Sequence, residues 1–241
     1  TPEADILFKH AADVNQQISK ITNIAENLVS DPSSIINIGC TPSLGLGLLP
    51  NLLNKYLKVN PGTKFNIVNL QSLDLEDQLK ELTFDLVICF NPNDSDLFKM
   101  TLLHSGKLVL ISSKENSPQE AIFRLAGIQD QPFIKIKNLK TNAAQNNLDD
   151  VLKKEGVAVN WIAVTETIQV AKAMVEKGSG YAIIDDFSAA INGDKISINE
   201  IEPAIGYQIC MISNKEKPLS VSAQSFINFL EKLPGKLDQI V

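Results

Sequence analysis

Apolar and polar positions divide the chain into two regimes. From Pro2 to Ser30 the residues Leu7, Ala11, Val14, Ile18, Ile21, Ala25 and Leu28 recur by fours and threes, the spacing of a heptad seam. Asp13, Gln16, Gln17 and Lys20 fall off that stripe. Nothing interrupts it until Asp31-Pro32, because the residue before a proline avoids the helical region. The pattern predicts a long helix over 1–30 that pairs with the same helix of another chain. The alternative is a terminal helix folded back on its own domain.

After Pro32, short apolar runs alternate with stretches of helical period. Strands are predicted at Ile35 to Gly39, Lys64 to Leu70, Asp85 to Phe90 and Leu108 to Ile111, with helices over Leu44 to Val59 and Leu73 to Leu82. A second set follows: strands at Phe133 to Ile136, Val157 to Val164, Tyr181 to Ile184 and Tyr207 to Ile212, and helices over Ala143 to Glu155, Thr167 to Glu176 and Ala223 to Leu233. Strand and helix in alternation point to parallel sheets with crossover helices. Two such sets without a linker-like stretch between them predict two α/β lobes joined by extended crossings. Ligands of such sheets bind at the carboxyl ends of strands, so a cleft between the lobes is the expected site.

Composition narrows the function classes. The chain has 241 residues, 44% hydrophobic and 21% charged, which is ample for a buried core and excludes a disordered segment. A net charge of −6 opposes binding of nucleic acid or anionic lipid by bulk charge. Arg124 is the only arginine, so a bidentate clamp on a carboxylate or phosphate is available at one place at most. The opening TPEADILFKH shows no signal-peptide pattern and no run nears the ~20 apolar residues of a membrane span, so a cytoplasmic protein without membrane association is expected.

Candidate chemistry is sparse. Cys40, Cys89 and Cys210 lie far apart in apolar runs, which reads as buried, reduced thiols. The stretch from Gly39 to Gly47 does not match the G-x-G-x-x-G dinucleotide spacing. It does offer a strand, then Thr41-Pro42-Ser43, then a helix, where hydroxyls and free backbone N–H groups can meet a polar ligand. Similar polar helix starts recur at Gln71-Ser72, Thr141-Asn142 and Thr165-Glu166-Thr167. Each alone reads as a cap; two per lobe favour a shared cleft. His10 and His104 have no evident partners and no metal-ligand spacing is found, so no cofactor, no metal and no catalytic set are expected.

The run Ile36 to Leu44 (INIGCTPSL), continuing through Leu49-Pro50 to Asn60-Pro61-Gly62, resembles the start of the effector-binding domain of LysR-type transcriptional regulators. Leu79 to Ile88, Gln131 to Ile134, and Val175 to Ile184 match that domain in order, and Thr1 to Ala4 resembles the start of the family's linker helix. The resemblance implies a type 2 periplasmic-binding-protein-like fold, two lobes preceded by a long linker helix. It further implies that the N-terminal winged helix-turn-helix is missing, and that DNA is met only through that absent domain. The expected division is 1–30 for the dimerisation helix, 33–106 with 211–241 for one subdomain and 107–210 for the other. Carried over residue by residue, effector contacts fall on Thr41, Ser43, Ser72, Thr141, Thr165, Glu166 and Thr167. Asp185 stands where members commonly have proline, which would change the charge of the cleft. Cys210 stands alone in its region, so sensing by a paired cysteine is not expected.

The expected function is therefore ligand sensing by a homo-oligomeric regulator, without enzymatic activity, for a small polar or anionic effector. The alternative is a transporter's solute-binding protein with the same fold.

Overall fold

The computed structural model describes residues 1, 14, 18, 21, 35–70, 84–92, 94–137, 143–191 and 193–233. The predicted helix over 73–82 therefore lies outside the described residues, as does all of the 1–30 helix except four positions. Val14, Ile18 and Ile21 are helical and exposed; Leu7, Ala11, Ala25 and Leu28 of the same seam lie outside the description.

The first sheet is built from β1 (Ile35–Cys40), β2 (Lys64–Asn69) and β3 (Leu86–Phe90), parallel in the order β2-β1-β3. Both faces of β3 are covered, so every residue of its LVICF run is buried. The expected single helix over 44–59 is two, α1 (Pro42–Leu46) and α2 (Leu48–Val59). Pro50 has no N–H to donate, so it is accommodated in the first turn of a helix and α2 restarts at Leu48. Leu48, Leu49, Leu52 and Tyr56 then form the buried stripe of α2.

β4 (Phe98–Ser113) is far longer than the Leu108 to Ile111 run that announced it. Its first half pairs antiparallel with β10 (Gly206–Asn214), which lies antiparallel beside β3. From Leu108 to Ser113 it is wholly buried and pairs antiparallel with β8 (Ala182–Asp185) and β9 (Ile196–Glu202). β5 (Ile122–Arg124) adds to β9 in parallel. β6 (Phe133–Ile136) and β7 (Trp161–Thr165) form a parallel pair, bridged to the β8 side through Phe133 and Tyr181. The expectation of purely parallel sheets is thus corrected: β4, β8 and β10 run against their neighbours. Pairing also groups Gly206 to Cys210 with the first sheet, ahead of the expected boundary at 210/211.

Three further helices cover the second sheet, α3 (Ala143–Lys154), α4 (Ile168–Glu176) and α5 (Asp186–Ala190), and α6 (Val221–Glu231) returns to the first. Around α6 an aromatic cluster joins helix to sheet, with the Tyr56 and Phe226 rings 4.9 Å apart and Phe65 and Phe226 5.2 Å apart. A buried ion pair closes the same lobe. Lys217 Nζ lies 2.9 Å from Asp85 Oδ1 and donates to the Phe84 carbonyl at 3.0 Å, while Asp85 Oδ2 accepts the Asn37 N–H at 2.8 Å.

Candidate functional site

Where β1 ends, its carbonyl edge hands the chain to α1 through Thr41, which sits at the N-cap in extended conformation with Pro42 filling the first helical position. Thr41 makes no side-chain cap bond. Its Oγ1 is buried without a hydrogen-bond partner among the described residues. A buried hydroxyl left unmatched costs free energy, so such atoms gather where a ligand or water completes them. Ser43, also buried, follows on the first turn of α1.

Facing this helix start is a cavity of about 260 Å³ between the two sheets. Ser43 and Leu46 form one wall; Gln169, Lys172 and Glu176 of α4, with Ser188 of α5, form the other. The walls are held close: a Cβ built on Gly47 would meet the Ile191 side chain and lie 3.0 Å from Phe187 Cε1, so a larger residue there would have to push Ile191 aside. Lys172 spans the second wall, its Nζ donating to the carbonyls of Ser188 at 3.1 Å, Ala189 at 3.0 Å and Ile191. Burial pulls the pKa of this ammonium down, against the attraction of Glu176 and Asp185. Asp185 caps α5 by accepting the Ser188 N–H at 2.7 Å. Burial raises its carboxyl to about 6, with hydrogen bonds from Ser188 opposing the rise and the Asp186 charge adding to it.

The expected site residues separate clearly. Ser43 reaches the cavity and Thr41 stands beside it in the chain. Thr165 and Thr167 spend their hydroxyls locally: Thr165 Oγ1 accepts the Thr167 N–H at 3.2 Å, and Thr167 Oγ1 accepts the Val170 N–H at 3.4 Å as the cap of α4. Glu166 instead faces solvent in an ion pair with Lys137 at 3.2 Å. Asp185 is a buried cap directly behind the cavity wall. Ser72 and Thr141 lie outside the described residues. Gln169, Lys172, Ala173 and Glu176 were not anticipated, although their i, i+3, i+4, i+7 spacing marks one face of a helix.

A larger hollow, about 900 Å³, runs along α6 and is lined by Lys99, Lys215, Lys217 and Lys232. Glu231 already holds Lys99 at 2.6 Å and Asp85 holds Lys217, and the hollow is remote from the α1 start at the end of β1. The smaller cavity is therefore the candidate site. The thiols are no rival. Strand register sets Cys210 opposite Cys89 of β3. Both are buried, and burial lifts Cys210 to about 11 and Cys89 higher still, so they remain protonated and inert. Cys40, raised by burial to about 11, donates to Asn69 Oδ1. Among the described residues no group of three His, Cys, Asp or Glu could hold a metal ion, and no helix is long and apolar enough to cross a membrane.

Residues 30–234 match the family described as the LysR substrate binding domain. The HTH-type transcriptional regulator DgcR of a Pseudoalteromonas species is 26% identical over 232 residues, covering 95% of this chain and 79% of that protein. In fold the chain is similar to the CcmR regulatory domain of Synechocystis PCC6803, solved in complex with 2-PG. There the TM-score is 0.73 at 15% identity, over 84% of this chain and 98% of that one. Full-length CbnR, solved complexed with its target DNA, gives a TM-score of 0.76 at 14% identity, over 97% and 82%.

Proposed function

On the premise that the chain belongs to the LysR substrate binding domain family, the sensing part of transcriptional regulators, we propose that its interlobe cavity binds a small polar or anionic effector and thereby controls DNA binding. The observation that carries this reading is the cavity of about 260 Å³ lined by Ser43 on one side and Lys172 on the other, with the unmatched Thr41 hydroxyl two residues before Ser43 in the chain. Thr41, Ser43 and Gln169 supply hydroxyl and amide groups suited to a carboxylate or carbonyl oxygen, while Lys172, its three N–H bonds already given to carbonyls, contributes positive charge to the wall. Ser72 and Thr141 complete the set by their place in the family resemblance. Thr165 and Thr167 hold the start of α4, and Asp185 holds α5.

Binding acts by population shift: the ligand favours the arrangement of lobes in which both walls reach it. DNA is contacted by a domain outside residues 1–241, in keeping with the net charge of −6. The 7–28 seam joins two copies of the chain, the whole works in the cytoplasm, and no reaction is catalysed. Ligand contact by Ser43 is tested with a compound found by thermal-shift screening of small carboxylates and polyols. Calorimetry should show Ser43→Ala binding it roughly 2- to 10-fold more weakly, the loss of one hydrogen bond of about 0.5–1.5 kcal/mol. An unchanged Kd would place recognition elsewhere.

A further inference from the structure

Two stretches of chain cross between the sheets. One is β4 at Lys107–Leu108, where its partner changes from β10 to β8 and β9. The other runs from the end of β9 through Ile205 into β10, and the two crossings are tied by the Leu108 N–H donating to the Ile205 carbonyl at 2.8 Å. Asp186, the first residue of α5, touches both. Its Oδ2 accepts the Lys107 N–H at 3.0 Å, and its Oδ1 accepts the Tyr207 hydroxyl in a short bond. The same hydroxyl accepts the Phe187 N–H at 3.4 Å. Tyr207 is buried, and desolvation beside two carboxylates holds its phenol far above the usual range, so it remains a donor. The junction admits no extra atom: a Cβ on Gly106 would fall on the Tyr207 hydroxyl and 2.5 Å from Asp186 Oδ1.

α5 is also the helix that meets the cavity. Its Ser188 lines the wall, its closing carbonyls hold Lys172, and Phe187 packs toward Gly47 of the opposite lobe. We propose that Asp186 is the positioning residue of the hinge: one carboxylate ties both crossings to α5 and so sets the angle at which the two lobes face the cavity. The consequence for signalling rests on the sensing function proposed above; the geometry does not. A ligand that draws Ser43 and Lys172 together bends the crossings about this carboxylate, and losing it frees the lobes from the helix that reads the ligand.

The test measures interlobe distance without any ligand. Spin labels are placed on Lys55→Cys in α2 and Lys154→Cys in α3, both exposed, while the three native thiols are buried and unreactive. Labelled chain is diluted with unlabelled chain so that only distances within one copy are read. The parent should give a single narrow distribution by pulsed electron–electron resonance. Asp186→Ala and Tyr207→Phe should each shift or broaden it by roughly 2 Å or more, the scale of hinge rearrangements. The double variant should go no further than the larger single change, and Asp186→Asn, which keeps an acceptor for Lys107, should fall between. Distributions identical to the parent in folded Tyr207→Phe and Asp186→Ala, with only a lower Tm, would overturn the proposal. If Asp186→Ala does not fold, Tyr207→Phe decides alone, since it removes one oxygen. Because no ligand enters, failure here leaves the cavity's role standing, and a failed ligand search leaves this result standing.

Discussion

Asp85 and Asp185 are both buried carboxylates flanking a central strand, yet they live in opposite circumstances. Asp85 has a lysine ammonium at 2.9 Å and a backbone N–H at 2.8 Å, and that lysine satisfies itself further on the Phe84 carbonyl. Asp185 has a backbone N–H at 2.7 Å, a second carboxylate as its chain neighbour, and a lysine whose protons have gone to three carbonyls instead. The first arrangement is complete and can only be damaged. The second leaves negative charge under-compensated beside a cavity, where a proton or a ligand changes the balance. A buried charge marks function where its partner set is unfinished, and marks architecture where that set is closed.

The sharpest way to break the contrast is to remove the cation from the closed pair. Lys217→Met leaves the Asp85 carboxylate in apolar surroundings, and urea unfolding at neutral pH should show a loss of about 3–5 kcal/mol. A loss below about 1 kcal/mol would mean that water reaches Asp85 and the pair is not closed at all.

Next in size is the effect of neutralising Asp185. Its folded carboxyl titrates at about 6 because of burial, against roughly 3.9 in an unfolded chain. The folded state holds this proton more tightly, so its contribution is fully present below about pH 4, is lost as pH rises toward 6, and stays lost above. Asp185→Asn retains the cap on Ser188 and abolishes the titration. Relative to the parent, the variant should gain up to about 3 kcal/mol between pH 4 and pH 7. A difference that does not change with pH would show Asp185 to be as well compensated as Asp85.

The smallest signal concerns Cys89 and Cys210, which share the core with the closed pair. In the native chain at pH 8 a thiol reagent such as Ellman's should react with them at least ~100-fold more slowly than in urea, since burial suppresses the thiolate. Fast labelling of the folded protein would mean that this sheet opens as readily as the cleft.

Local pattern foretells structure best where it coincides with the final environment. β3 is a wholly apolar run and β6 an apolar one interrupted by Lys135, and both lie where expected; α2 and α6 show the stripes they bury. The first half of β4, and β9, escape local pattern because each keeps one wet face and mixes polar residues into the run, lysine, threonine and serine in β4 and serine, asparagine and glutamate in β9. Strand order was beyond periodicity altogether. Only pairing brings Cys210 to Cys89 and Lys217 to Asp85, residues that no window along the chain contains together. At the site, the hydroxyl-bearing helix starts carry the sequence signature of caps, and Ser43 among them lines the cavity. Thr165 and Thr167 carry the same signature but satisfy their own backbone. The polar face of α4 was written in plain helical spacing, yet charge at that spacing is also what any solvated helix shows.

β4 spans 16 residues and is hydrogen-bonded into both sheets. Side chains of a strand alternate faces, so one residue inserted or deleted anywhere upstream of its midpoint would invert inside and outside for part of one sheet and misalign the crossing with the other. Loops elsewhere can lengthen without disturbing their neighbours, but the two halves of this molecule share a single reading frame. Substitution at the exposed positions of β4 leaves that frame intact, whereas a change of length within it shifts the frame for both halves.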